Sequence, residues 1–119
     1  MKRDMDLVRA ILLAVESHQD GYAPSDLTVD GYTKDQVAYH CHLLGQSGLV
    51  EVVDTTHLGS VSPTASIRTL TWAGHDFLEA SREPSIWRQA KEVVDRVGGA
   101  SLTVWTAVLT DLVRRNLGL

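Results

Sequence analysis

Between positions 33 and 78 the chain reads as a helix, a two-stranded ribbon and a second helix, each set off by clear turn chemistry, and few folds accommodate that order. Thr33 and Gln36 stand three residues apart. At that spacing a hydroxyl and an amide satisfy each other's backbone N–H groups as a capping box, so a helix is expected from Lys34. Val37, Cys41 and Leu44 recur on one face behind the cap, and Gly48 followed by Leu49 supplies a left-handed stop with an apolar contact back onto Leu44. The expected helix is 34–47. Residues 49–53 are short and β-branched, 54–66 are polar with Gly59 and Pro63, and 67–72 alternate, which predicts two antiparallel strands joined by a long loop. The chain then turns at Leu70-Thr71-Trp72-Ala73-Gly74 into a helix that Thr71 is placed to cap and whose apolar side holds Phe77 and Leu78.

Upstream, Val8, Ile11, Leu12 and Val15 fall at i, i+3, i+4 and i+7, with Asp4 and Asp6 where a helix dipole favours negative charge. A first helix ending before Gly21 is expected. Pro24, Gly31 and the alternating run Leu27-Thr28-Val29-Asp30 then predict a short strand. Downstream, Pro84 opens a helix carrying Trp87, Ala90, Val94 and Val97 to a Gly98-Gly99 stop. Ser101 caps a last helix with Leu102, Trp105, Val108, Leu109, Leu112 and Val113 along a broad face. The reading is α+β: a winged-helix-like domain built of first helix, short strand, recognition-type helix and β-wing, followed by a C-terminal helical hairpin. Residues 1–119 are expected to form a single domain, with 1–81 as winged-helix-like core and 82–119 as helical extension.

At 119 residues and 44% apolar content the chain supports one real core. A formal charge of −4 disfavours indiscriminate attraction to nucleic acid or to anionic membranes. One cysteine excludes an internal disulfide and fits a reducing compartment. The start Met1-Lys2-Arg3-Asp4 has no apolar leader and no run is long enough to span a membrane, so a cytoplasmic location is expected. Residues 54–66 have linker-like composition, which fits a mobile wing.

The opening 1–7, Tyr39-His40 with Gly48-Leu49, the run Leu70-Thr71-Trp72-x-Gly74-His75-x-Phe77-Leu78, Ile86-Trp87 and the closing Leu117-Gly118-Leu119 resemble a family of short bacterial and phage proteins grouped as a domain of unknown function. The strand-to-helix step at 70–78 is also similar to one found in many bacterial winged-helix proteins. The resemblance implies a prokaryotic or prophage setting and a winged-helix-like core. It implies no catalytic residues.

Winged helices commonly place the helix before the wing in the major groove. With Val37, Cys41 and Leu44 facing inward, Asp35, Tyr39, His42 and Gln46 point outward, and Lys34 and Arg68 flank them as candidate interaction or DNA-facing residues. That face carries an acid and no arginine, although Arg to guanine is the commonest base contact. Acids also outnumber bases from Asp4 to Asp54, where Asp4, Asp6, Glu16, Asp20, Asp26, Asp30, Asp35, Glu51 and Asp54 meet only Arg9 and Lys34. Nucleic-acid binding is therefore possible but disfavoured by charge.

Tyr39-His40-Cys41-His42 invites a metal assignment, but adjacent helical residues diverge by about 100° and no second cysteine exists. Cys41 shares the core face, so a nucleophilic role is not expected. No phosphate loop or serine elbow is present, and no enzyme activity, cofactor or metal is expected. Trp72, Trp87 and Trp105 are expected in the core, the alternative being that Trp87 or Trp105 projects from the helical tail as an interface anchor. The broad face of the last helix predicts a homodimer with Trp105, Val108, Leu109 and Leu112 as candidate interface residues. These readings favour a non-enzymatic winged-helix interaction protein in a bacterial or prophage regulatory or host-interaction role, acting through protein contacts and an acidic surface. The alternative is a sequence-specific DNA-binding transcription regulator.

Overall fold

A computed structural model describes residues 1–119. Five helices and one two-stranded antiparallel sheet follow in the order α1 (Met5–Ser17), α2 (Lys34–Ser47), β1 (Val50–Asp54), β2 (Ala65–Leu70), α3 (Trp72–Ser81), α4 (Pro84–Arg96) and α5 (Leu102–Asn116). The fold is α+β. It packs as two compact units, Met1–His75 and Asp76–Leu119.

In the first unit, α1 starts where the Asp4 carboxylate accepts the Leu7 N–H and buries Leu7, Val8, Ile11, Leu12 and Val15. Helix α2 has the full capping box: the Gln36 N–H donates to the Thr33 hydroxyl at 3.1 Å and the Thr33 N–H donates to the Gln36 side chain at 2.8 Å. It ends at Gly48, whose φ of 81° is the left-handed conformation that stops a helix. Strands β1 and β2 pair from Val50 opposite Leu70 to Asp54 opposite Ala65, with a bulge between Glu51 and Val52. Helix α2 lies on this ribbon at very short range, because a Cβ at Gly45 would fall 2.5 Å from Cγ2 of Val52.

Thr71 joins ribbon to helix. Its N–H donates to the Leu49 carbonyl (3.1 Å), its hydroxyl donates to the Gly48 carbonyl (2.6 Å), and the same hydroxyl accepts the Gly74 N–H as the cap of α3 (3.1 Å).

The expected strand over 27–30 does not form. The Ala23 N–H donates to the Arg68 carbonyl and the Thr69 hydroxyl donates to the Gly21 carbonyl, so the chain meets β2 earlier than that run. Pro24 then offers no backbone donor, and a turn closed by the Tyr32 N–H on the Val29 carbonyl leaves Leu27 and Val29 half-buried in irregular backbone. Trp72 also departs from expectation. As the first residue of α3 it points outward and is 84% exposed.

In the second unit, the Glu83 carboxylate caps α4 through the Ser85 and Ile86 N–H groups, with Pro84 in the first turn. Ser101 caps α5 through the Val104 N–H. The two helices pack on an aromatic cluster in which Trp87 stacks on Trp105 at 4.8 Å between centroids and meets Phe77 edge-on at 6.5 Å. Trp105 and Leu109 are 4% and 0% exposed, which corrects their expected place in a dimer interface: they are core. Val108 and Leu112 are half-buried. No helix is long and apolar enough to cross a membrane.

Candidate functional site

Three features of the first unit present chemistry to the outside: the outer side of α2, the tip of the β1–β2 hairpin, and a cleft beside β2. On α2, the inward set Val37, His40, Cys41 and Leu44 leaves Asp35, Tyr39, His42 and Gln46 on the opposite side by the 3.6-residue repeat. Asp35 and Gln46 are exposed, and the half-buried Tyr39 and His42 rings stack at 6.2 Å. Lys34 is exposed but lies on the cleft side of the helix, lining it with Ser66 and Ile67. Arg68 is exposed on β2.

His40 was hidden by its polar letter, although its spacing with Val37, Cys41 and Leu44 marks it as inward. It is 1% exposed. Its Nε2 accepts the Asp4 N–H at 2.9 Å and its Nδ1 lies 2.8 Å from the Gln36 carbonyl, so Nδ1 carries the proton. The Asp4 carboxylate also accepts the Tyr32 hydroxyl at 3.0 Å. Partial burial and that bond hold the Tyr32 phenol above its ordinary range. One imidazole thus ties α2 to the start of α1. Its bonding is structural, and no three His, Cys, Asp or Glu side chains converge as a metal site requires. Burial pushes the Cys41 thiol up to about 11, which suits packing and suppresses the thiolate needed for nucleophilic chemistry.

The hairpin loop is more closely built than its linker-like composition suggests. The Thr55 N–H donates to the Thr64 carbonyl, Thr56 exchanges bonds with Thr64 through its hydroxyl, and the Ser60 N–H donates to the His57 carbonyl. The Thr56 N–H also bonds Asp54, holding that carboxyl below its usual range with a smaller pull from His42. This scaffold displays Leu58 and Val61 at 109% and 80% exposure, and no Lys or Arg occurs from Glu51 to Ile67. The first unit as a whole holds nine Asp and Glu against five Lys and Arg, whereas the second holds six of each. The net negative charge belongs to the first unit alone.

The cleft has a volume of about 450 Å³ and is walled by three segments: Ala23 to Leu27, the Lys34, Val37, Ala38 and Cys41 side of α2, and Ala65 to Ile67 of β2. Sequence spacing did not reveal it, because it opens where the expected strand is missing.

Residues 2–101 match the family described as Hypothetical protein (DUF2513). The chain is 39% identical over 97 residues to a Haemophilus influenzae protein titled only "Uncharacterized protein", covering 79% of each. No solved structure matches. A family match across most of the chain, joined by that relative, establishes that this protein belongs to the DUF2513 family.

Proposed function

We propose that this protein is a non-enzymatic, winged-helix-like interaction module whose wing is the β1–β2 hairpin and whose partner is another protein, in a bacterial or prophage regulatory or host-interaction role. The observation that carries this reading is the hairpin tip: a hydrogen-bonded loop that presents Leu58 and Val61 and no cation. A wing that presses on phosphates needs Lys or Arg, and apolar side chains fully displayed on an ordered turn suit a pocket on a protein. The acidic first unit agrees, since it repels a duplex and steers association toward a basic protein surface. Pairing of two copies through the exposed Val93, Val97 and Val104 of the second unit, beside Val108 and Leu112, completes the proposal.

Sequence-selective DNA binding is the competing reading, favoured by the outward Tyr39, His42 and Gln46 with Lys34 and Arg68 nearby in sequence or on the ribbon. The test is duplex binding over a salt series beside photo-crosslinking from a benzoylphenylalanine placed at Val61. The expected result is weak duplex binding lost by physiological salt, and a protein crosslink that Leu58→Asp abolishes. Nanomolar, sequence-selective affinity near physiological salt would overturn the proposal in favour of a transcription regulator.

A further inference from the structure

The sheet is left with an open edge next to an open cleft. Strand β2 pairs with β1 on one side. On its other side the backbone takes one bond, from Ala23 to Arg68, and across 65–67 its sheet partner is β1 alone. Unpaired strand edges template the addition of a further strand. The 450 Å³ cleft runs beside that open stretch, with Val37, Ala38 and Cys41 of α2 opposite the half-buried Ile67. Small side chains at Ala23, Ala38 and Ala65 leave the room. The chain's own alternating run at 27–30 would suit the edge but reaches the cleft wall only at Leu27, before the turn that the Tyr32 N–H closes on the Val29 carbonyl.

We propose that this cleft docks an extended, cationic peptide segment of a partner protein, which adds to β2 as a third strand and sets two apolar side chains into the cleft. An extended segment is the shape a sheet edge selects, because its backbone continues the ladder and residues i and i+2 fall on one face. The volume lies within the range of ordinary ligand sites and takes two side chains of valine or leucine size. Its sign follows from the surroundings. Asp26 and Lys34 are the two charged lining residues and offset each other, so the excess of acids in the first unit decides for Lys or Arg flanking the apolar pair. The inference accepts a protein-contact role but uses a different surface from the hairpin tip.

The probe is a phage-displayed library of random nonapeptides selected on the full chain, followed by a synthetic copy of the enriched peptide. The expected consensus has apolar residues at i and i+2 with flanking Lys or Arg. Binding of the synthetic peptide should slow hydrogen exchange at Ala65 and Ile67, whose N–H groups face the open edge by the alternation of the β1–β2 ladder, and a proline in its centre should weaken it at least tenfold. Ala38→Leu, which fills the cleft, should cost at least tenfold with an unchanged melting temperature. If that variant does not fold, Asp26→Lys at an exposed position carries the test by lowering affinity for the cationic peptide severalfold. No enrichment, acidic or proline-rich consensus, or affinity indifferent to both variants would overturn the proposal. Protection of the Ala65 and Ile67 amides in the free chain through self-association would overturn it too. The Val61 crosslink and its loss in Leu58→Asp are read independently, so either surface can fail alone.

Discussion

Gly74→Ala is the sharpest perturbation of the fold, because helix propensity and packing pull in opposite directions there. Alanine in the first turn of α3 should gain about 1 kcal/mol over glycine from propensity alone. The added Cβ would lie 2.0 Å from the Leu49 carbonyl oxygen, more than an ångström short of ordinary contact. That oxygen is backbone and is already the acceptor for the Thr71 N–H, so it has no rotamer by which to withdraw. Overpacking of this kind costs about 1–3 kcal/mol, and stretching the Thr71 bond adds roughly 0.5–1.5 kcal/mol. The net expectation is a destabilisation of about 2 kcal/mol. Urea unfolding should show a lower midpoint at an unchanged slope. Gly45→Ala is the control, since its Cβ would meet the Val52 side chain at 2.5 Å rather than a backbone atom. Val52→Ala should rescue Gly45→Ala with a coupling energy of about 0.5–3 kcal/mol and leave Gly74→Ala uncorrected. A neutral or stabilising Gly74→Ala, or its rescue by Val52→Ala, would refute the reasoning.

Replacing Thr33 by Ala removes half of the α2 capping box and should lower stability by about 1 kcal/mol in urea unfolding, with little change for Thr28→Ala in the irregular segment. His40→Leu keeps the volume but leaves the Asp4 N–H without its acceptor; a loss of about 1–3 kcal/mol is expected, with faster hydrogen exchange in the first turn of α1. For Cys41, the native thiol ionises near 11 against an ordinary value of 9.0, so above pH 9 the unfolded chain sheds a proton that the native chain keeps. Stability should therefore be flat in this group below pH 9 and fall toward pH 11 by up to roughly 2–3 kcal/mol, a slope that Cys41→Ala removes.

Local chemistry made most elements legible. The Thr33–Gln36 spacing, the Gly48 stop, the Thr71 cap, Pro84 and Ser101 each act within four residues, and the helix bounds they imply agree with the structure to within a residue or two. The ribbon was legible for the same reason, since β-branched and alternating runs need only each other. Strand β2 nevertheless starts and ends two residues earlier than the expected 67–72, with Thr71 and Trp72 taken by the cap and first turn of α3. What was not legible depends on partners distant in sequence. The alternation at 27–30 is a good local strand signal, yet Ala23 and Gly21 had already taken the contacts with Arg68 and Thr69. Trp72 looked like core because aromatic residues usually are, but a residue immediately after a cap that is bonded back to Gly48 and Leu49 has its direction fixed by the backbone.

His40 shows how one buried polar residue can be both unforeseen and well accounted for. An unpaired imidazole in a core is costly, and here each ring nitrogen has a partner whose donor or acceptor sense fits a single neutral tautomer. The Asp4 residue it holds is itself the cap of α1 and the acceptor for Tyr32, so the start of α1, the loop before α2 and the inner side of α2 share one hydrogen-bonded group. That arrangement fixes α2 from its buried side. It leaves Asp35 and Gln46 exposed on the outer side of α2 beside the stacked Tyr39 and His42 rings, and the hairpin projects Leu58 and Val61 from an already anchored base. The apolar tip and its acidic surround are the exposed features of this unit on which the proposed protein partner rests.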